Sequence, residues 1–308
     1  MKPVTLFRST TGINNVVDPS RIIFDPEKGI CSLASAYNID IDLVGGVSLR
    51  KGLTATAQDI PVHSLFCDGG DCFFVAGNSL YRLNSDYTRT GIRTELTVGA
   101  MMSYCQLGKK TYYTNGFENG YVEDGVSYPW AAEPYVGPVT IKVITSPPLG
   151  HILAKHSSRI YIAVNDIVEY SEPFAYSWFA RASNFIPFKS RVRMLRAVTE
   201  GLFVGTDTEV IFLKGKSPVE VEYAVVSDSP VVEGTDCTVP GDRFDFNVKY
   251  VEDKSKTLIA AIWTAQDGIY VGMHDGEVKN LTKETLQYAN SQIGCAVFKD
   301  NKYVALLQ

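Results

Sequence analysis

The chain has 308 residues, 45% of them hydrophobic, and a formal net charge of -5. That apolar content excludes a disordered chain, and the acidic balance argues against a general nucleic-acid binder, which carries a basic face. Length alone suggests two domains, yet closed β architectures of this size are often one.

The first residues, MKPVTLFRSTTGINNVV, contain no apolar core of a secretion signal. In TTGINN the Gly and Asn residues suit a backbone with positive φ, and Pro19 favours an extended or turn conformation at Asp18. Residues 1–45 read as an N-terminal arm and docking segment. Helical periodicity is scarce, with Ser32–Asn38 and Lys283–Ala289 as the two short helical candidates. In Asn38–Gly46 (NIDIDLVGG) alternation places Asn38, Asp40 and Asp42 on one strand face. Three oxygen-bearing side chains on a face suit a hard cation. The segment lacks the Gly and distal Glu of a calcium loop, and a half-buried strand accounts for the alternation, so no metal is assigned. Asp42 and Arg50 flank the Gly45–Gly46 turn and are placed to pair across it.

From residue 46 onward, short apolar runs bounded by Gly, Asn and Asp dominate, which is the strand-and-turn signature. The runs repeat from Ser64 to Leu83, Ser103 to Asp124, Ile152 to Tyr170, Met194 to Leu213 and Ala261 to Leu281. A truncated unit, CAVFKDNKYVALLQ, follows. Phe74, Tyr113, Tyr161, Phe203, Tyr270 and Tyr303 align as the aromatic position of successive units. Intervals of about 40–50 residues mark propeller blades. The predicted fold is all-β, a single β-propeller of about five to six small blades over residues 46–308, with an insertion around 227–256. A strand within 46–54 is expected to complete the truncated unit by pairing with residues 293–308.

Chemistry-bearing motifs are sparse. No nucleophile elbow, zincin helix or phosphate-binding loop occurs. His63, His151, His156 and His274 are scattered, and no third ligand joins His151 and His156. Asp68 with Asp71, Asp207 with Glu209, and Asp267 with Asp275 lie in or beside turns, where such residues serve local hydrogen bonds. Six Cys show no C-x-x-C. Cys67 and Cys72 flank a turn and can approach each other, but a chain of this size does not depend on disulfides, and free thiols are favoured. Lys189, Arg191 and Arg193 alternate with apolar residues and give one strand face positive charge. That face fits a DNA backbone or, given the acidic total, a solvated or subunit-facing salt-bridge surface. No catalytic residue, cofactor or membrane insertion is expected.

The segments TTGINNVVDPSRI and ASAYNIDIDLVGGVSLRKG resemble the start of a family of tailed-phage virion proteins. That family has a G-x-N-N motif and a later N-x-D-x-D-x-x-G-x-x-x-x-R-x-G motif, matched here by Gly12, Asn14, Asn15, Asn38, Asp40, Asp42, Gly45, Arg50 and Gly52. EYSEPFAYSWF resembles its Y-S-E-P segment. AIWTAQDGIYVGMHDGEVKNLT resembles its W-x-x-x-x-G-I-x-V-G and N-L-T segment. The resemblance implies a propeller-bearing tail component of the nozzle or packaged-DNA stabilisation type. Such a part forms a ring with copies of itself, meets portal, adaptor and other tail proteins, and surrounds a DNA path without reading sequence. It would be made in the host cytoplasm and reside in the virion tail. At 308 residues the sequence is expected to be too short for the larger nozzles, which carry extra domains. The competing reading is a carbohydrate-binding propeller, a receptor lectin or glycosidase, using Trp130, Trp178 or Trp263.

Overall fold

The computed structural model describes residues 8–22, 24–25, 30–42, 44–52, 61–68, 70–132, 142–241 and 258–308. Among them the regular secondary structure is almost entirely strand, with a 3-10 turn at Pro19–Arg21. Both helical candidates are overturned. Ser32 and Leu33 end a strand, and around Lys283 the chain makes a single turn closed by the Leu286 N–H on the Thr282 carbonyl. Neither segment has the length that sustains a helix without packing.

Five antiparallel sheets follow one another, each ordered as a meander. Sheet I holds Val62–Asp68, Asp71–Ala76, Ser79–Leu83 and Arg89–Arg93. Sheet II holds Ser103–Leu107, Lys110–Thr114, Asn119–Glu123 and Val126–Tyr128. Sheet III holds Ile152–His156, Arg159–Val164, Ile167–Glu172 and Ala175–Phe179, with Phe185–Pro187 also paired to its third strand. Sheet IV holds Val192–Ala197, Gly201–Thr206, Val210–Lys214 and Glu222–Ser227. Sheet V holds Cys237–Pro240, Ile259–Ala265, Gly268–Gly272 and Val278–Asn280. Sheet VI is a hairpin of two strands, Gly294–Lys299 and Lys302–Leu307, turning through Asp300 and Asn301, both at positive φ as a primed turn requires.

The first strands of sheets I to VI touch in succession, which arranges the meanders about an axis. Between neighbouring sheets lies a buried cluster: Phe73 and Leu80 on Tyr113, Tyr112 on Ile160 and Phe179, Tyr161 on Leu195, Phe203 on Trp263, and Ile262 on Phe298 and Tyr303. Among the described residues no such cluster joins sheet VI to sheet I. One meander cannot bury both of its faces alone; stacking supplies the second cover.

The repeated aromatic has a structural meaning. In sheets I to V an aromatic on the second strand faces one on the third: Phe74 and Tyr81, Tyr112 and Tyr121, Tyr161 and Tyr170, Phe203 and Phe212, Trp263 and Tyr270. Their ring centroids lie 4.6–5.9 Å apart, within the range where cross-strand aromatic pairs stabilise a sheet. Tyr270 is therefore a third-strand residue, and Trp263 is the counterpart of Phe203. The expected insertion at 227–256 is narrower at its start, because Val231, Val232, Thr235 and Val239 are buried and Cys237–Pro240 opens sheet V. Residues 242–256 lie outside the described residues.

Two further expectations are corrected. Residues 47–49 pair with 39–41 in their own hairpin and not with residues 293–308; residues 53–54 lie outside the described ones. A tight turn between adjacent segments forms at lower entropic cost than a pairing across the chain. Cys67 and Cys72, favoured as free thiols, stand directly opposite each other in sheet I and form a disulfide, with Cα atoms 4.1 Å apart. Their register, set by the turn at Gly70, brings the two sulfurs together.

Candidate functional site

The residues shared with the phage-like motifs build a joint between the arm, the hairpin and the loop after sheet V. Strand Ser9–Ile13 lies parallel to Ile30–Leu33. Gly12 takes φ +108°, and its N–H donates to the Thr10 hydroxyl at 3.1 Å. Asn14 donates its N–H to the Leu33 carbonyl at 2.8 Å, and its side-chain oxygen accepts from Val17 at 3.2 Å. Asn15 reaches the far end of the chain. Its side-chain amide donates to the Gln287 carbonyl at 2.7 Å and accepts the Gln287 N–H at 2.7 Å, while its own N–H donates to Thr285 at 3.1 Å. An Asn amide, carrying donor and acceptor side by side, matches a peptide group in this way.

Within the hairpin, Asp42 accepts the N–H groups of Val44 and Gly46 at 2.9 and 2.7 Å. This turn occupies the carboxylate, and no Asp42–Arg50 ion pair forms among the described residues. Asn38, at φ +55°, offers its carbonyl to the Arg50 N–H at 3.0 Å. Asp40 meets Lys302 of sheet VI at 3.4 Å. Gly45 is buried at φ +82° and gives its carbonyl to Thr10; an added Cβ would stand 2.3 Å from the Thr10 oxygen. The three residues considered for a cation face are thus divided: the Asp42 side chain caps its turn, the Asp40 side chain meets Lys302, and Asn38 offers its backbone carbonyl. No group of three metal-ligating side chains occurs among the described residues.

The other motif segments are structural in the same sense. In Y-S-E-P, burial raises the Glu172 pKa, but hydrogen bonds from Lys142 at 2.6 Å and Asn184 at 2.9 Å outweigh it and hold the carboxyl below its usual range. Glu169, buried, holds Arg181 through two bonds of 2.8 and 2.9 Å. Both carboxylates fasten the excursion that follows Pro173 back onto sheet III. In the Trp-Gly segment, an added Cβ at Gly272 would meet the Phe203 ring at 2.5 Å, so glycine is what admits that ring.

Lys189, Arg191 and Arg193 sit at the entry to sheet IV, each beside a carboxylate. Lys189 meets Glu209 at 3.5 Å, Arg191 meets Glu233 at 3.1 Å, and Arg193 is bonded to Asp207 and lies 3.9 Å from Glu233. A phosphate would compete with these partners. Arg196, further along, is bonded to Asp236 through Nε at 2.7 Å. Burial alone would lower its pKa, but the Asp236 carboxylate reverses this and raises it.

His151 and His156 do not converge: each donates to a backbone carbonyl, Val192 at 2.7 Å and Gly215 at 3.0 Å. Burial lowers the pKa of both. Of the tryptophans considered for sugar stacking, Trp263 and Trp130 are buried, and Trp130 bonds to the Tyr176 carbonyl at 3.2 Å. Trp178 is half-buried. No described helix is long and apolar enough to cross a membrane.

The chain matches no family model and no curated protein sequence. Solved structures do match it. One, a streptogramin B lyase, shares 12% identity at TM-score 0.50, with 99% of this chain and 91% of that chain covered. Another, BBS1N in complex with ARL6DN, shares 10% identity at TM-score 0.50, with 81% of this chain and 76% of that chain covered. One is an enzyme and the other binds a partner, so this fold serves both kinds of work. At such identities the likeness carries the fold alone: the chain has an all-β fold of the β-propeller type.

Proposed function

We propose that this chain is a structural subunit of a bacteriophage tail, a nozzle or tail-tube component. In this reading copies close into a ring through a repeated heterologous interface. The ring joins the portal and adaptor complex, helps retain packaged DNA and forms part of its exit channel. The subunit is non-catalytic, is made in the host bacterial cytoplasm and resides in the virion.

The observation that carries this reading is how the phage-like motif residues are used. A ligand site would leave polar atoms turned toward open space. Here Asn15 and Gly45 join the arm to the loop after sheet V and to the hairpin, while Gly12 and Asp42 fix the local turns of arm and hairpin. The motif builds a mechanical joint, which suits an assembly part. The charge pattern agrees with it. Lys189, Arg191 and Arg193 are each balanced by a carboxylate, and the total is -5, so phosphates are held weakly and DNA can slide.

Purified virions carrying this gene test the proposal. Quantitative mass spectrometry is expected to find the chain at fixed copy number, and imaging to place it at the tail. Its absence from particles defeats the reading. A carbohydrate-binding role would draw on exposed aromatics, and two of the three tryptophans are buried. A glycan array probed with the free protein is expected to give no reproducible binding.

A further inference from the structure

We propose that the groove between the N-terminal hairpin and sheet VI receives an extended segment of another polypeptide as an added β-strand. The groove has a volume of about 530 Å³. One wall is the strand Ile39–Ile41 and the other is Lys302–Leu307; Ile269, Leu286 and Tyr288 lie beneath.

Backbone hydrogen bonding identifies the occupant. In an antiparallel pair, residues alternate between bonded to the partner strand and turned away from it. The Gln308 N–H donates to the Ile293 carbonyl at 3.0 Å. Counting back along the register, Lys302, Val304 and Leu306 are the bonded positions. Tyr303, Ala305 and Leu307 therefore turn their N–H and C=O groups outward, along the groove. On the opposite wall, Asp42 and Arg50 donate to Gly46 and Asn38 at 2.9 and 3.0 Å. By the same alternation Ile39 and Ile41 turn theirs outward. Two rows of backbone donors and acceptors face one space.

Directly paired strands lie about 4.8 Å apart and leave no groove between them. The proposed guest strand takes this space, bonded on both sides, and replaces the Asp40–Lys302 pair that spans it at 3.4 Å. Such an edge is a template for another chain. Among the described residues sheet VI has two strands where sheets I, II, IV and V have four. The apolar floor selects apolar residues at alternate positions of the guest. Arg50 lines the groove and has no ion-pair partner among the described residues. It selects a carboxylate on the guest. The inference does not depend on the tail assignment.

The test uses the full chain and a displayed library of random octapeptides, counter-selected against Ala305→Pro. Proline is tolerated on an edge strand where the N–H faces outward, and it removes a donor the guest needs. Enriched peptides should alternate apolar residues and carry Asp or Glu. They should bind the variant at least about tenfold more weakly, and Arg50→Gln should erase the acidic preference. Hydrogen exchange of the unaltered protein provides a readout that needs no variant. The N–H groups of Tyr303, Ala305 and Leu307 should exchange quickly alone and slowly with a selected peptide. No enrichment, or equal binding to Ala305→Pro, overturns the proposal. Slow exchange without peptide also overturns it, because the two hairpins would then be closed on each other.

Discussion

Replacing Asn15 by Ala should release the arm from the loop after sheet V while leaving the sheets intact. The substitution removes two bonds of 2.7 Å to Gln287 and spares the 3.1 Å bond from the Asn15 N–H to Thr285. Each lost bond contributes about 0.5–1.5 kcal/mol net, and exposure of this site places both in the lower half of that range. The sum, about 1–2 kcal/mol, raises the population of undocked arm roughly 5- to 30-fold. Hydrogen exchange read by mass spectrometry should show residues 9–16 and 283–288 exchanging faster by that factor, with sheets II and III unchanged. Asn15→Asp keeps the acceptor but sets a carboxylate against the Gln287 carbonyl, so its effect should be at least as large. Asn14→Ala loses only the bond from Val17 and should not touch residues 283–288. Equal exchange of 283–288 in Asn15→Ala and the unaltered chain would refute the reasoning.

Gly45→Ala forces a Cβ to within 2.3 Å of the Thr10 carbonyl at φ +82° and should cost about 1–3 kcal/mol of arm docking, visible in the same exchange experiment. Trp263→Ala empties a fully buried site between Phe203 and Tyr270; chemical denaturation should report a loss of about 3–5 kcal/mol, whereas a loss below about 1 would contradict the inter-sheet core. Burial lowers the pKa of His63, His151 and His156 below 6.5, so the unfolded chain binds protons there first. Stability is therefore complete above pH 6.5 and falls as the pH drops below it. The double variant His151→Gln, His156→Gln should show a shallower fall in thermal midpoint between pH 7.5 and 5.5, and an unchanged slope would exclude these two groups.

The meander repeat was legible because aromatic and β-branched residues recur on strands that share a face with the next sheet. Phe74, Tyr161 and Phe203 hold the same place on second strands, as their alignment implies, whereas in sheet II that place belongs to Tyr112 and the aligned Tyr113 is one residue off, on the opposite face. Tyr270 broke the phase because the first strand of sheet V, CTVP, is too short and too polar to announce itself, so the unit looked as if it began at Ala261. The pairing of Cys67 with Cys72 depended on a register that the turn fixes and composition does not reveal. Partners far apart in sequence were the least legible. Nothing around Arg196 points to Asp236, and nothing in TTGINN points to Gln287. Such contacts arise from the stacking of sheets, and periodicity within one sheet is silent about them.

The bond between Asn15 and Gln287 spans 272 residues of chain. Every buried cluster among the described residues, by contrast, joins sheets that are adjacent in sequence, so each sheet can settle on its predecessor soon after it is made. At roughly 5–20 residues per second of synthesis, the arm waits on the order of tens of seconds before its acceptor exists. During that wait the Asn15 amide is available to other chains on the same polysome, although the strand before it already has its partner in Ile30–Leu33. The order of synthesis thus makes this joint the step at which a correctly stacked subunit and an entangled one part ways.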